Sequence, residues 1–556
     1  FSRRFCWLFS KLLMNIMGLR GLAEISTTES AADCDPRISC KLGQNNLLVL
    51  TRILFLISFL SVTAGIKAQE QNQIAGESPK KFKDEIFTSY QKVTIGGKTI
   101  NLTTETGTLI LRDENDTAIA RFGFTHYQKQ GGKSESREER PIVFAFNGGP
   151  LSASFWLHMG ILGPKRIKIN DPDYTKPAPY QVVNNEYSIL DKADLVMIDP
   201  IGVGFSKPIG NAKWEDFWGV DQDIRSIGLF IEQFLIRSGK FNSPKYLLGE
   251  SYGTFRNAGL VKFLQDRGIA MNGVIMVSAV FELQHLLFGP GDDISYLIHF
   301  PTYAATAWYH KKVEDKPENL VQFLEEVRSF TEDEYAPALL KGDQLSTGEK
   351  EEIAERLSKY SGLAPEFWVK ANLRVTNSEF FQELLREEGK TVGRLDSRFI
   401  GINEDLLAQK AFTDPQSDAI SAPYISAFKD YLYTDLKAPK DQNYVTSAGF
   451  RENFNWDWKH KGNIAWNAQV AVSTLPDLTS AMKRDPNLKV LILNGYFDLA
   501  TVFYGVEYSI NHMDLEPELK ENIIMEYYEA GHMMYTHEPS LKKFKEDVDR
   551  FLDETH

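Results

Sequence analysis

Cysteine is nearly absent from this chain. Its three cysteines, Cys6, Cys34 and Cys40, all lie within the first 40 of the 556 residues. From residue 41 onward the sequence can therefore form neither a disulfide bond nor a thiol nucleophile. A chain of this length can bury a core large enough to fold without such cross-links.

Positive charge is also scarce. The sequence contains 62 Lys and Arg residues against 75 Asp and Glu residues, which gives a formal net charge of −13. No basic stripe offsets this excess, so the composition argues against nucleic-acid binding. Neither a metal-ligand cluster nor a nucleotide-binding loop stands out, and we expect no metal and no cofactor.

Long apolar runs are missing as well. The uncharged run Ile53–Ile66 has 14 residues, whereas a transmembrane helix needs about 20. A run of this length after Arg52 is typical of a signal peptide, with Ala68 as the expected cleavage residue. The alternatives are a buried core helix and an uncleaved anchor. We expect residues 1–68 to be upstream sequence plus signal peptide, and the rest to be exported without stable membrane insertion. An acidic, cysteine-free chain favours a bacterial periplasm or an extracellular location.

The most informative segment is Gly249-Glu250-Ser251-Tyr252-Gly253, a G-x-S-x-G pattern. A strand-like run precedes it and a helix-like run, residues 255–265, follows it. A serine on a sharp turn between strand and helix presents its hydroxyl at the edge of a sheet, and the glycines permit the strained backbone. The pattern alone is weak, so it needs a base, a carboxylate and oxyanion donors to support it.

Short apolar runs recur along the chain, each followed by a loop of small or polar residues. Such runs, alternating with helical segments such as Val220–Ser238, predict βαβ units and a mainly parallel sheet with both faces covered. Before them, residues 88–128 alternate in polarity and predict β-hairpins. The six runs are Ile142–Phe146, Leu195–Ile198, Tyr246–Leu248, Val274–Val277, Val490–Leu493 and Ile523–Tyr528.

Residues 301–480 differ from the rest because they are charged and rich in helical patterns, for example Glu349–Tyr360 and Ser378–Glu388. We interpret them as a helical cap inserted between two parts of an α/β core, residues 69–300 and 481–556. The alternative is an independent second domain.

A serine hydroxyl needs a neutral imidazole and a carboxylate that orients it. Asp498 and His532 each follow a strand-like run, and they come after Ser251 in the order Ser, Asp, His that α/β-hydrolases use. Asp199 also follows such a run, but it precedes the serine, so we interpret it as a turn or pocket residue.

Oxyanion donors are expected from two backbone segments. One is the N–H of the residue after the nucleophile, Tyr252, and the other is an early strand-to-helix loop. The segment Asn147-Gly148-Gly149-Pro150 follows the strand-like run 142–146 and suits the second role, because glycine lets the backbone approach a substrate carbonyl.

Five motifs in this order resemble the serine carboxypeptidases. The resemblance covers roughly residues 140–290 and 485–550, and it implies an α/β-hydrolase fold, with a mainly parallel central sheet and an inserted helical cap. It also implies a triad of Ser251, Asp498 and His532 and an oxyanion hole from Gly149 and Tyr252. The motifs are Asn147-Gly-Gly-Pro150, residues 195–206 (LVMIDPIGVGFS), Gly249-Glu-Ser-Tyr-Gly253, residues 494–499 (NGYFDL) and Ala530-Gly-His-Met533.

The resemblance further implies that Asn147, Gly148 and Glu250 bind the free C-terminal carboxylate of a peptide. The family commonly has a second glutamate where this chain has Ile161, and the two carboxyl groups share a proton. Without that partner, a substrate carboxylate would have to be held by Asn147, by backbone N–H groups or by a nearby cation. The candidate cations are Lys165, Arg166 and His158.

The leading hypothesis is therefore an exported serine carboxypeptidase-like hydrolase that acts on peptides through an acyl-enzyme. Ile161 keeps a second hypothesis open, a serine esterase or acyltransferase that acts on small molecules. A third is a binding protein without activity on a hydrolase scaffold.

Overall fold

The strands of the protein follow the apolar runs of its sequence. A computed structural model describes residues 82–131, 140–289, 291–460 and 472–556, so the predicted signal peptide within residues 1–68 lies outside the described residues. The strands are β1 (Glu85–Ile95), β2 (Lys98–Arg112), β3 (Ala118–Lys129), β4 (Ile142–Phe146), β5 (Lys165–Lys168), β6 (Gln181–Asn184), β7 (Asp194–Asp199), β8 (Lys207–Pro208), β9 (Lys245–Glu250), β10 (Gly273–Val277), β11 (Lys390–Val392), β12 (Ile400–Ile402), β13 (Lys489–Gly495) and β14 (Ile523–Tyr528).

Nine of these strands form the main sheet in the order β1-β2-β3-β7-β4-β9-β10-β13-β14, and β8 pairs with β3 as a tenth. The first three pair antiparallel, as hairpins, and β3 also pairs antiparallel with β7. From β7 to β14 every pairing is parallel. All six predicted strand-like runs lie in this parallel part, so the predicted mainly parallel sheet is confirmed.

The helices connect these strands or follow them. They are α1 (Phe155–Leu157), α2 (Val220–Ser238), α3 (Tyr252–Asp266), α4 (Ile294–Tyr309), α5 (Leu320–Phe330), α6 (Ala336–Lys341), α7 (Thr347–Ser361), α8 (Pro365–Lys370), α9 (Asn377–Glu383), α10 (Pro415–Thr434), α11 (Leu475–Arg484), α12 (Phe503–Asn511), α13 (Pro517–Lys520) and α14 (Glu538–Thr555).

The helix predictions agree with these bounds, with one difference. Helix α2 has the predicted limits, and α7 extends the predicted Glu349–Tyr360 by a few residues. The helix predicted over Ser378–Glu388 is instead α9 followed by a separate 3₁₀ turn, Arg386–Glu388. The helix ends there because the backbone of Leu385, with φ −118° and ψ 18°, leaves the helical conformation.

Burial on both faces explains the composition of the parallel strands. Every residue of β4, β7, β9 and β10 is buried, which is the reason that the central residues of these strands form continuous apolar runs instead of alternating. The carboxyl ends of parallel strands lie at the same edge of the sheet. The loops after β4, β9, β13 and β14, which carry the predicted site residues, therefore emerge on one side.

Between β10 and β13 the chain forms α4–α11 and the two-stranded hairpin β11–β12. Helices α4 to α9 contribute to a second hydrophobic cluster, separate from the one that surrounds the sheet. Within it the Tyr303 ring stacks on the Phe380 ring, with centroids 4.2 Å apart. By contrast, α10 and α11 contribute to the cluster of the sheet. The limits 301–480 for an inserted cap stay a prediction.

We predict that Trp368→Ala destabilises the helical insertion. Trp368 is fully buried in the second cluster, and its indole N–H donates to Ser361 Oγ at 2.9 Å. Loss of a buried tryptophan leaves a cavity and should lower the free energy of unfolding by ~3–5 kcal/mol, measured by denaturant titration. As a control, Leu340→Ala removes a side chain that is 88% exposed and should change stability by less than about 0.5 kcal/mol. Equal stability losses in the two variants would contradict the prediction.

Candidate active site

Ser251 lies on a strained turn between β9 and α3. Its backbone has φ 59° and ψ −129°, a conformation that costs free energy in any residue other than glycine. Its N–H donates to the carbonyl of Val277, the last residue of β10, at 2.9 Å. A Cβ atom at Gly249 would overlap the carbonyl group of Gly253, so the first glycine of the pattern is needed for this close approach. The turn holds Ser251 partly exposed at the edge of the sheet.

The loop after β4 packs directly against this turn. A Cβ atom at Gly148 would lie 2.5 Å from the Tyr252 nitrogen and 2.8 Å from the Gly253 nitrogen. The N–H of Tyr252 belongs to the first turn of α3 and has no partner within the helix. Gly149, the other predicted oxyanion donor, is exposed and has a φ of 116°. The structure therefore brings the two predicted donor segments together.

Asp498 and His532 form a buried pair. His532 Nδ1 and Asp498 Oδ2 are 2.7 Å apart, and the aspartate side chain is completely buried. The same carboxylate accepts the N–H groups of Ala500 and Thr501 at 2.8 and 2.9 Å, and the Thr501 hydroxyl at 2.8 Å. These four donors fix the carboxylate, which in turn orients the imidazole.

The pair changes the basicity of the imidazole. Burial alone lowers the pKa of His532, but the negative charge and hydrogen bond of Asp498, with a further contribution from Glu250, raise it above the ordinary value. An imidazole that is buried beside a carboxylate is a stronger base than a free histidine.

The loops that carry Ser251 and His532 meet at the end of β10. Ser251 N–H bonds to the carbonyl of Val277, and the next residue, Ser278, donates its hydroxyl to the carbonyl of His532 at 2.7 Å. The Thr501 hydroxyl also lies 2.9 Å from the Ser278 carbonyl oxygen, so its one proton is shared between that oxygen and Asp498. Two consecutive residues of β10 and its loop thus hold all three segments that carry the predicted triad.

Glu250 is buried beside the serine and has two hydrogen-bond donors. Asn147 Nδ2 donates to its Oε1 at 2.8 Å, and the hydroxyl of Tyr535 donates to its Oε2 at 2.7 Å. Burial raises the pKa of Glu250 to about 7, against the opposite effects of His532, Tyr535 and Asn147. This carboxyl group therefore keeps its proton to a higher pH than an exposed glutamate does.

Tyr535 is a hydrogen-bond partner of Glu250, and Ile161, the position considered for a second carboxyl group, is apolar. Ile161 is fully buried in a π-helical turn, His158–Leu162. The same turn contains Gly160, where a Cβ atom would overlap the Tyr535 ring. The missing side chain at Gly160 leaves space for that ring. In place of a second carboxyl group, Glu250 thus has a phenol hydroxyl as its partner.

Two of the three candidate cations have other partners. His158 is buried, with Nε2 at 2.6 Å from the Tyr127 hydroxyl, and burial lowers its pKa to about 3, so it carries no positive charge at neutral pH. Arg166 lies 3.4 Å from Glu538. The third candidate, Lys165, begins β5 and is partly buried.

Asp199 serves the structure of the neighbouring loops. Its Oδ1 accepts the N–H of Ser154 and the hydroxyl of Tyr444, both at 2.9 Å. Burial raises its pKa to about 6. It ties the segment after Gly149 to the segment near residue 444, which is a structural role.

Sequence reasoning missed several polar residues of this site. Thr501 and Tyr535 each follow a predicted site residue by three positions, which is the available signal. Arg256 is fully buried, pairs with Asp223 at 2.6 Å, donates to the Asn147 carbonyl at 3.0 Å and lies over the Tyr252 ring. Its position on α3, one turn after the serine, gives no such signal, because only the fold brings Asn147 within reach.

Two further observations concern the described part of the chain. Among these residues, no group of three or more His, Cys, Asp or Glu side chains is arranged to hold a metal ion. None of the helices there combines the length and apolar character that are needed to cross a bilayer.

We predict that Asp498→Asn lowers the pKa of His532. The substitution removes the charge that raises this pKa, while the burial that lowers it remains. An NMR titration of the imidazole signals measures the change. His460, which bridges Asp221 and Asp477 and has a pKa of about 9, should keep its titration and serves as an internal control. An unchanged or raised pKa of His532 would count against the pairing.

Comparison with known proteins gives the family. The family model of the serine carboxypeptidases matches residues 124–544, and no curated protein matches the chain in sequence. Among solved structures, a prohormone-processing carboxypeptidase from Saccharomyces cerevisiae is 16% identical, with 82% of this chain and 92% of that chain covered and a TM-score of 0.46. A proline iminopeptidase from Mycobacterium smegmatis is 12% identical, with 84% and 98% covered and a TM-score of 0.31. The family match covers well over half of the chain, and the predicted α/β-hydrolase fold is confirmed; the chain belongs to the serine carboxypeptidase family and is a serine carboxypeptidase-like hydrolase.

Proposed function

We propose that this protein removes C-terminal residues from peptides through an acyl-enzyme formed on Ser251. The observation that carries the proposal is the buried 2.7 Å contact between His532 Nδ1 and Asp498, held at the same strand end as the strained serine turn. In this role His532 is the general base and acid, and Asp498 keeps its Nε2 available for the serine proton.

In the first half of the proposed reaction, His532 Nε2 accepts the proton of the Ser251 hydroxyl as its oxygen attacks the scissile carbonyl carbon. The carbonyl oxygen becomes an oxyanion, which accepts hydrogen bonds from the N–H groups of Gly149 and Tyr252. The C–N bond then breaks, the imidazolium gives its proton to the departing amine, and the peptide remains bound to Ser251 as an ester.

In the second half, a water molecule attacks the ester while His532 accepts its proton. The tetrahedral intermediate collapses, the serine oxygen regains a proton from the imidazolium, and the shortened peptide leaves with a new carboxylate. No cofactor enters these steps, since the imidazole moves each proton and backbone amides stabilise each oxyanion.

Specificity for a free C-terminus is proposed for Asn147, Gly148 and Glu250. Asn147 and Glu250 bond to each other, and Gly148 lies against the serine turn. Because burial raises the pKa of Glu250 to about 7, the group is mainly neutral in acid, where it can donate a hydrogen bond to a carboxylate. Above pH 7 it is mainly negative and repels one.

A second candidate function is a serine esterase or acyltransferase on small molecules. The observation that favours it is Ile161, which is buried at the position where the family commonly has a second acidic residue. A site that lacks a paired carboxyl group is less suited to share a proton with a substrate carboxylate.

Export and a bacterial origin are proposed on the sequence alone. They rest on the apolar run Ile53–Ile66 and on the lack of cysteine after residue 40. We propose a periplasmic or extracellular location with a peptide as the substrate.

We predict that Ser251→Ala abolishes turnover and covalent labelling. A fluorophosphonate probe should label the wild-type protein once and the variant not at all, and kcat should fall by about 10⁴-fold or more. Circular dichroism should show an unchanged fold. Ser329→Ala, a change at an exposed serine of α5, should keep both labelling and turnover. Retained activity in the Ser251 variant would refute the assignment.

We predict that hydrolysis depends on a free carboxylate and on pH. A blocked dipeptide with a free C-terminus should be cleaved with a higher kcat/KM than its C-terminal amide. As the pH rises through 7, Glu250 loses its proton, so the ratio of the two kcat/KM values should fall. Both substrates share the protonation of His532, and the ratio therefore isolates the carboxylate site. Equal rates at every pH, together with faster cleavage of a simple ester, would favour the second candidate function.

A further inference from the structure

A short segment of the helical insertion lies between the two loops that carry Asp498 and His532. The carbonyl of Arg394 accepts the N–H of Leu499 at 3.0 Å, and the carbonyl of Leu395 accepts the N–H of His532 at 2.6 Å. Two consecutive peptide units of the insertion therefore bond to the two loops, and the backbone of Arg394 has a defined place beside the loop that carries Asp498.

Hydrogen bonds and ion pairs fix the position of this segment. The buried carboxylate of Asp396 accepts the N–H of Gly531 at 2.9 Å and pairs with Arg398 at 2.7 Å. Arg398 in turn pairs with Asp171 at 2.9 Å. The α-carbon of Gly531 lies so close to Asp396 that any Cβ atom there would overlap it. Residues 394–396 thus form a rigid support beside the histidine loop.

The side chain of Arg394 is exposed, and within the described part of the chain its guanidinium has no hydrogen-bond or ion-pair partner. Its positive charge acts on His532, whose pKa it lowers. It acts on Asp414 as well, but the Asp414 oxygens accept the N–H groups of Leu395 and Gln416 at 3.1 Å each. The guanidinium is thus exposed on a segment whose backbone bonds to the histidine loop, and a ligand carboxylate would share its charge with Asp414.

Asn147 and Glu250, which are proposed to recognise the substrate carboxylate, already have other hydrogen-bond partners. The amide of Asn147 accepts the N–H of Leu157 at 3.1 Å and donates to Glu250. Both Glu250 oxygens accept hydrogen bonds, the second from Tyr535. Neither group carries a positive charge. A carboxylate that loses its hydration on binding is stabilised most by a guanidinium, because this group offers a positive charge and two parallel N–H donors.

The proposed mechanism places the carboxylate of the leaving residue close to His532. In the proposed mechanism His532 gives its proton to the departing amine, so the leaving residue lies next to the imidazole. Its carboxylate is attached to the same α-carbon as that amine, and it therefore lies within a few ångströms of the histidine.

We propose that Arg394 binds the C-terminal carboxylate of the peptide substrate, as a specificity-determining residue next to His532. The proposal rests on the carboxypeptidase function proposed above. In it, a cation from the helical insertion binds the substrate carboxylate. The family commonly uses a second acidic residue for this, at the position where this chain has Ile161.

The test compares Arg394→Gln, Arg394→Lys and the wild-type protein on a blocked dipeptide acid and on its C-terminal amide. For the acid, the Gln variant should raise KM by about 10- to 100-fold, the worth of one charged hydrogen-bonded pair, with kcat nearly unchanged. The Lys variant should recover part of this loss. For the amide, neither variant should change KM. Arg225→Gln, at a partly exposed arginine of α2 that pairs with Glu114, is the control and should behave like the wild-type protein.

Each other result overturns the proposal. An unchanged KM for the acid shows that Arg394 does not bind it, and equal losses on acid and amide show a purely structural role. Fluorophosphonate labelling of Ser251 in each variant shows whether the site is still assembled. The wild-type protein tests the carboxypeptidase function, and the variants test the role of Arg394. A wild-type protein that does not prefer the acid refutes the carboxypeptidase function, and Arg394 with it. A wild-type protein that prefers the acid, with a variant that keeps this preference, refutes Arg394 alone.

Discussion

The close approach of two backbone segments is the constraint on which the site depends. The loop after β4 and the turn after β9 come so near that a side chain at Gly148 would overlap the nitrogen of Tyr252, and one at Gly249 would overlap Gly253. Only glycine can occupy such positions. The parallel pairing of β4 with β9 brings the two segments to the same edge of the sheet, and the strained backbone of Ser251 is the cost of presenting its hydroxyl there.

Burial acts in different ways on the ionisable groups around this turn. It raises the pKa of Glu250 to about 7, because few charges oppose it. For His532 the adjacent Asp498 outweighs burial and raises the pKa. An acid that keeps its proton to a higher pH thus lies beside a basic imidazole. Such a difference between neighbouring groups is typical of sites that move protons.

Glu250 has an amide and a phenol as its hydrogen-bond partners, while Ile161 nearby is apolar and buried. Gly160 leaves space for the ring of Tyr535, whose hydroxyl completes the hydrogen bonding of Glu250. Positive charge comes from a different element, the segment at Arg394, which is bonded to the loops of both Asp498 and His532. The hydrogen bonding of Glu250 is thus completed without a second carboxyl group.

Local sequence determined the elements and the order of the site residues. Apolar runs bounded by loops identified six parallel strands, because strands buried on both faces must be apolar throughout. The turn chemistry around Ser251 and the order of Asp498 and His532 followed from the short motifs, since each lies directly after a strand. Only the tertiary structure brought in Arg256 and Arg394, and only it gave Tyr535 its distant partner Glu250. Their contacts depend on how loops and the helical insertion pack over the sheet edge, and no local pattern records that packing.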